Sequence, residues 1–245
     1  MRIAFAPVVA AVVVLLHSPA FALEKRSVPF NDNRADAWSA GATCRVSYYN
    51  ICTGWVWCWG GFDNWDRFGV VADRCCEGNA VAYLLQSSLF LCTASPVYYG
   101  FTGTIAVHSV DANDCPTSPP IAVQPYLPWY VESSSFSVIT WGSVPVPNRF
   151  AVVVTFAEQL GIPNPVTFGS DHPGAGPTGP QSCGVCFPAT RLTRSFNWGT
   201  VTSPLCPGET FNDGICDAEL FWDFDFACTV SIQESTWGSI KSLYR

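Results

Sequence analysis

Twelve cysteines, all of them after residue 43, restrict this chain more than any other feature of its sequence. Their meaning depends on the compartment that receives them, and the N-terminus speaks to that. Arg2 precedes an apolar run from Ile3 to Leu16, and Ala20-Phe21-Ala22 has the small-x-small pattern of a signal-peptidase site. The run is short for a bilayer span. Residues 1–22 are therefore expected to be a removed signal peptide, and the protein to be secreted, whether extracellular, periplasmic or at the cell surface. In an oxidising compartment an even set of cysteines reads as a disulfide framework. That expectation covers Cys44, Cys52, Cys58, Cys75, Cys76, Cys92, Cys115, Cys183, Cys186, Cys206, Cys216 and Cys228. Connectivity does not follow from spacing. Cys206 and Cys216, on either side of the turn-like Asn212-Asp213-Gly214, suggest one small closed loop.

Cys183-Gly184-Val185-Cys186 has three readings. A redox motif needs a low-pKa thiol at a helix N-terminus, and here Pro, Gly and Ser surround the pair. A zinc site needs a second pair at similar spacing, and no other C-x-x-C exists. A structural disulfide is the simplest reading. Lys25-Arg26 is either a dibasic processing site or part of a solvated tail, and the tail is the simpler expectation.

Residues 23–43 read as a flexible lead-in. Beyond them, short apolar and β-branched segments alternate with turn formers, and 19 Gly and 19 Pro argue against long helices. Leu220 to Cys228 is the clearest strand: Leu220, Trp222, Phe224, Phe226 and Cys228 fall on one face, Asp223 and Asp225 on the other. Further strands are expected at Arg45 to Tyr49, Gly54 to Trp59, Phe68 to Ala72, Gly103 to Val110, Phe136 to Thr140, Phe150 to Phe156 and Arg194 to Trp198. Ala80 to Cys92 fits either a helix or a strand, because Val81, Leu84, Leu85, Leu89 and Cys92 fall at helical spacing. Cys115 to Pro128 and Gly161 to Pro188 read as Pro-rich loops. The fold class expected is all-β: a disulfide-rich antiparallel β-sandwich over residues 44–234, jelly-roll-like, with a short C-terminal helix or tail at 235–245.

The stretch Tyr48-Tyr49-Asn50-Ile51-Cys52-Thr53-Gly54-Trp55-Val56-Trp57, then Asp66-Arg67-Phe68-Gly69-Val70, and the ending Ser235 to Arg245 resemble a family of uncharacterised secreted bacterial proteins rich in Cys and Trp. More loosely, Gly103 to Ala112, Phe150 to Phe156, Gly169-Ser170-Asp171 and Ser195-Phe196-Asn197-Trp198 resemble jelly-roll β-sandwich modules of bacterial surface proteins. The resemblance implies a fold and a compartment, and it carries no catalytic residue.

Charge and side-chain chemistry narrow the function. Twelve basic residues stand against 19 acidic ones, giving a net charge of -7, and only two are Lys. Such a surface has little to neutralise phosphates with, so no nucleic-acid partner is expected, nor a membrane span after the signal. Beyond the signal lie two histidines. His108 is expected to be a lone strand histidine, and His172 follows Asp171 in a loop. Glycine-serine elbows, zinc helices and phosphate loops are absent from the sequence.

Two sets of residues are candidates for chemistry. Glu219, Asp223 and Asp225 share one side of the last strand. Their spacing suits calcium coordination or the paired carboxylates of a glycoside hydrolase. It suits an ordinary hydrated strand face equally, which is the simplest reading. Trp55, Trp57 and Trp59 form a row on one strand face, with Trp65 close by. Turned outward, the row would stack on sugar rings; turned inward, it is core, the commoner fate of aromatics in sandwiches. The sequence thus leads to a non-catalytic, secreted binding module for a carbohydrate or protein ligand, with Trp55, Trp57, Trp59 and Trp65 as candidate contacts. A purely structural envelope or matrix protein is the alternative, and a glycoside hydrolase a remote one.

Overall fold

The computed structural model describes residues 24–30, 39–60, 62–78, 80–93, 100–127, 134–160, 166–171, 193–213 and 216–229. The alternation seen in the sequence folds into strands throughout. In chain order they are β1 (Glu24–Pro29), β2 (Cys44–Val46), β3 (Trp55–Gly60), β4 (Asp66–Asp73), β5 (Val81–Thr93), β6 (Gly100–Ser109), β7 (Ala122–Tyr126) and β8 (Ser135–Val146). Then follow β9 (Arg149–Leu160), β10 (Val166–Asp171), β11 (Ser195–Thr200), β12 (Pro204–Thr210), β13 (Asn212–Asp213), β14 (Cys216–Asp217) and β15 (Trp222–Thr229).

The pairings define the topology. One sheet runs β1-β3-β10-β5-β15-β2, with β8 on the other edge of β5, and the second runs β12-β11-β4-β9-β6-β7. Every pair is antiparallel. The eight consecutive strands from β3 to β10 supply β3-β10-β5-β8 to the first sheet and β4-β9-β6-β7 to the second, which is the jelly-roll arrangement. The remaining strands extend this framework. β1 lies within residues 23–43, so part of the expected lead-in is instead an edge strand paired along β3, with Lys25 opposite Trp59 and Arg26 opposite Cys58.

Inward-facing residues of both sheets make the main core. β4 contributes Phe68, Val70 and Ala72, β9 contributes Phe150, Val152, Val154 and Phe156, and β15 contributes Trp222, Phe224 and Phe226. Phe62, Phe68, Phe156 and Phe168 meet with ring centroids 3.9 to 5.5 Å apart. Each such side chain removed from water contributes about 1.5–3 kcal/mol, so this quartet outweighs any single polar contact described below. The segment Ala80 to Cys92 is strand β5. Its helical look comes from a register irregularity: Leu84 pairs with Phe226 and Gln86 with Asp225, so Leu85 is an extra residue. The inward positions switch there from Ala82 and Leu84 to Leu89 and Leu91.

A second apolar cluster lies on the outer face of the first sheet: Val56, Cys58, Phe90, Cys92 and Phe221, with Phe30, Tyr49 and Phe136 packed against it. Strand β3 is thus buried on both faces, as is the Cys58–Cys92 bridge, which runs from β3 to β5 across β10. Gly169 of β10 lies under this cluster, where Phe90 and Val56 leave no room for a side chain. A Cβ there would fall 2.3 Å from Phe90 Cδ1 and 3.1 Å from Val56 Cγ1.

The described bridges are Cys44–Cys75, Cys58–Cys92, Cys76–Cys228 and Cys115–Cys206; Cys52 is also disulfide-bonded. Cys206 therefore does not pair with Cys216. The cis Cys206-Pro207 strand β12 carries its sulfur instead to the loop after β6. Cys183, Cys186, His172 and the expected helix at 235–245 lie outside the described residues.

Replacing Gly169 with Ala is expected to lower stability by about 1–3 kcal/mol, the usual cost of overpacking a filled core, because the Phe90 ring has no space to retreat into. Urea unfolding of the two proteins measures it, and equal midpoints would refute the steric account.

Candidate functional site

Strand pleat decides the tryptophans. Trp57 and Trp59 alternate with Val56 and Cys58, and they point into the main core with 6% and 5% of their surface exposed. Their rings meet edge to face at 5.8 Å, and Trp59 Nε1 donates to Ser170 Oγ at 2.6 Å. Trp55, at the strand entrance, is half-buried. Of the two orientations open to the row, Trp57 and Trp59 thus adopt the inward one, in the core. The opposite face offers no alternative, because the second apolar cluster fills it.

Trp65 is different: 53% of its surface is exposed. It sits in the turn between β3 and β4, outside the pleat, with φ +74°, a conformation that non-glycine residues seldom adopt. Hydrogen bonds hold it on both sides. Its N–H donates to Phe156 O at 2.7 Å, and its carbonyl accepts from Val201 N–H at 3.1 Å. The preceding turn is closed by Asp63 N–H donating to Asp66 Oδ2 at 2.7 Å, while Asp66 N–H donates to Asp63 O. Burial pushes the Asp66 carboxyl above its ordinary value, against the opposing pull of that Asp63 N–H.

The turn from β11 to β12 stands beside it, tied by the Val201 bond. Val201 is 53% exposed and Leu205 is also exposed. Thr200 and Thr202 hydroxyls lie 3.2 Å apart, and Ser203 N–H donates to Thr200 Oγ1. A one-residue irregularity precedes this turn, since Asn197 pairs with Phe68 but Thr200 with Asp66. The Cys115–Cys206 bridge fastens β12 next to it. Trp65 is thus an indole presented on a fixed backbone, beside exposed aliphatic and hydroxyl side chains. Its composition gives no advance notice of this; the helpful signal would be Asp63-Asn64 just before it, a turn pair that takes Trp65 out of strand.

The acidic residues are placed otherwise than expected. Glu219, Asp223 and Asp225 do not form a hydrated face: all three are buried, at 0 to 3% exposure. Each is held by donors. Glu219 accepts from Arg194 N–H at 2.8 Å and from the Ser195 hydroxyl at 2.6 Å. Asp223 accepts from the Tyr49 hydroxyl at 2.8 Å. Asp225 forms a bidentate pair with the Arg45 guanidinium, at 2.6 and 3.0 Å, and also takes Ser39 N–H. Carboxylates buried in this way and turned to internal donors are poorly placed to meet calcium or to exchange a proton with a substrate, which argues against both readings for these residues.

Sequence reasoning missed the partners. Asp171 accepts from Asn50 N–H and Glu219 N–H, and Ser195 Oγ also accepts from Leu220 N–H. Arg194 places one guanidinium nitrogen on Asp73 and its cation 5.2 Å from the Tyr48 ring centre. His108 is half-buried on β6, and its Nδ1–H donates to Thr117 O at 2.7 Å. Burial lowers its pKa, and the Arg67 charge lowers it further against the pull of that carbonyl. No family model, curated protein or solved structure matches this chain.

Asp225 makes the fold acid-sensitive. Burial disfavours its charge, but the Arg45 and Ser39 bonds outweigh that and hold the carboxyl below its ordinary value. A carboxyl depressed in the folded state stabilises above its unfolded pKa, about 3.9, and that contribution is lost as pH falls through the folded value. The Tm gap between the native protein and Asp225→Asn should be widest near neutral pH and close toward pH ~2. A gap independent of pH in calorimetry would contradict the assignment.

Proposed function

We propose that this protein is an exported, non-catalytic binding module that recognises an extracellular carbohydrate through Trp65. The observation that carries the reading is the Trp65 backbone. A non-glycine residue held at positive φ costs about 1–3 kcal/mol, and such outliers cluster at ligand sites. Here the strained residue is also an exposed indole, whose flat face suits the apolar face of a pyranose. Thr200, Thr202 and Ser203 offer hydroxyl groups beside it for the polar edge of a sugar.

Export is supported by the N-terminal apolar run and by the disulfides. The non-catalytic reading is supported by the burial of Glu219, Asp223 and Asp225 and by the internal donors each accepts from. A structural envelope or matrix role is the second reading, favoured by the burial of Trp57 and Trp59.

A glycan array followed by titration of intrinsic fluorescence tests the proposal. Trp65→Ala is expected to weaken sugar binding about 10- to 100-fold, equivalent to about 1.4–2.8 kcal/mol. Its Tm should hold or rise, since the variant loses an exposed side chain. Unchanged binding in Trp65→Ala would remove the site, and silence across the array would favour the structural role.

A further inference from the structure

Two disulfides converge near the end of β4. Cys75 and Cys76 are adjacent in sequence and bond outward to Cys44 on β2 and Cys228 on β15. Those strands are neighbours, with Cys44 opposite Phe226. The two bridges therefore touch: Cys44 Sγ lies 3.6 Å from Cys228 Sγ, and the sulfurs of Cys44, Cys76 and Cys228 all fall within 4.8 Å of one another.

We propose that, when these two bridges are reduced, Cys44, Cys75, Cys76 and Cys228 form a tetrathiolate site for zinc. Zn–S bonds of about 2.3 Å in a tetrahedron put neighbouring sulfurs about 3.8 Å apart. The unbonded Cys44–Cys228 pair already matches that edge. Reduction lets each bonded pair open to it, and Cys75, whose sulfur lies outside the 4.8 Å group, would turn in toward Cys76 and Cys228 to complete the tetrahedron. A Cys44–Cys228 disulfide is the competing outcome. It would require those sulfurs to close to about 2.0 Å between residues that are diagonal, not directly opposed, in the strand register.

Non-covalent contacts hold each side of the site, and Asp73 N–H, donating to the Tyr48 hydroxyl at 2.7 Å, joins the end of β4 to the segment after β2. The Arg45–Asp225 pair holds β2 to β15, Thr43 N–H donates to Phe226 O, and Cys228 N–H donates to Thr43 Oγ1. On the other side, Arg74 N–H donates to Asn148 O, and the Arg74 guanidinium donates to the carbonyls of Ala80 and Gly78. Each bridge takes two electrons and two protons from one dithiol, which leaves as its own disulfide, and zinc then displaces the thiol protons. A chain synthesised in a reducing compartment holds its sulfurs in this reduced form before oxidation.

The full chain, reduced on an immobilised dithiol and separated from it, is titrated with cobalt(II) as a coloured substitute for zinc. The expected result is a thiolate charge-transfer band with tetrahedral ligand-field bands, saturating at a single equivalent and bleached by zinc. The spectrum should be lost in Cys44→Ser with Cys228→Ser and kept in Cys115→Ser with Cys206→Ser. Circular dichroism follows the fold, and alkylation mapped by mass spectrometry should show zinc shielding the four cysteines. A spectrum that survives the first pair of substitutions, a Cys44–Cys228 cross-link, or a reduced chain that neither stays folded nor recovers with zinc would each overturn the proposal.

Discussion

Glu219 ties the two sheets through the interior. Its backbone belongs to the run leading into β15 in the first sheet, while its carboxylate takes the Arg194 N–H and Ser195 hydroxyl at the start of β11 in the second. The need for it comes from the strand paths. β10 pairs with β5 only at its first residues, and β15 takes over the same edge of β5 further along. Where one strand parts and the other enters, backbone groups lose their ladder partners in a dry place, and each unpaired donor there costs about 1–3 kcal/mol. Residues 219–221 fill the gap. Phe221 N–H donates to Gly169 O and Phe90 N–H to Phe221 O, while Asp171 and Glu219 exchange backbone and side-chain bonds. A carboxylate suits this position because it accepts from several directions at once. It must also be fully engaged, since a buried charge without donors would destabilise the fold strongly.

The disulfides act at the margins of the same design. Cys76–Cys228 joins residues separated by 152 positions and anchors the far end of β15, whose near end is set by Glu219. Cys115–Cys206 secures β12 at the edge of the second sheet, where, among the described strands, β11 alone pairs with it. Cys58–Cys92 spans β10, the strand between β3 and β5. Sulfur reinforces places where the ladder is thin, and polar networks serve the place where it branches.

This division explains what could be read from the residues. Period-two alternation in Leu220 to Cys228 identified a strand with Trp222, Phe224 and Phe226 inward, as the core shows. The sandwich class followed from many such segments between turn formers. β7 and β10 were hidden, because Pro125 and the Pro-rich surroundings of Val166 masked short pairings that only a neighbouring strand stabilises. Leu85 gave β5 a false helical period, since a bulge shifts parity by one residue just as a helix turn does. The acidic residues misled for a related reason. Alternation tells which side of a strand Asp223 and Asp225 occupy, but a sheet can be covered on both sides, and the covering residues Tyr49 and Arg45 come from 174 and 180 positions away.

The four clustered tryptophans carry the same lesson toward function. Composition treats them alike, yet backbone conformation separates them. Trp57 and Trp59 lie in regular strand, so the pleat sends both to one face, and the core accepts them because Ser170 satisfies the Trp59 N–H. Trp65 follows an Asp-Asn turn and adopts a left-handed conformation, which releases its side chain from the pleat and aims it outward. Burying it would have gained about 1.5–3 kcal/mol or more. The fold forgoes that gain, accepts backbone strain in addition, and then fixes the residue with hydrogen bonds to Phe156 and Val201. That combination of exposure, strain and anchoring is what the proposed presentation of the indole to a ligand would use.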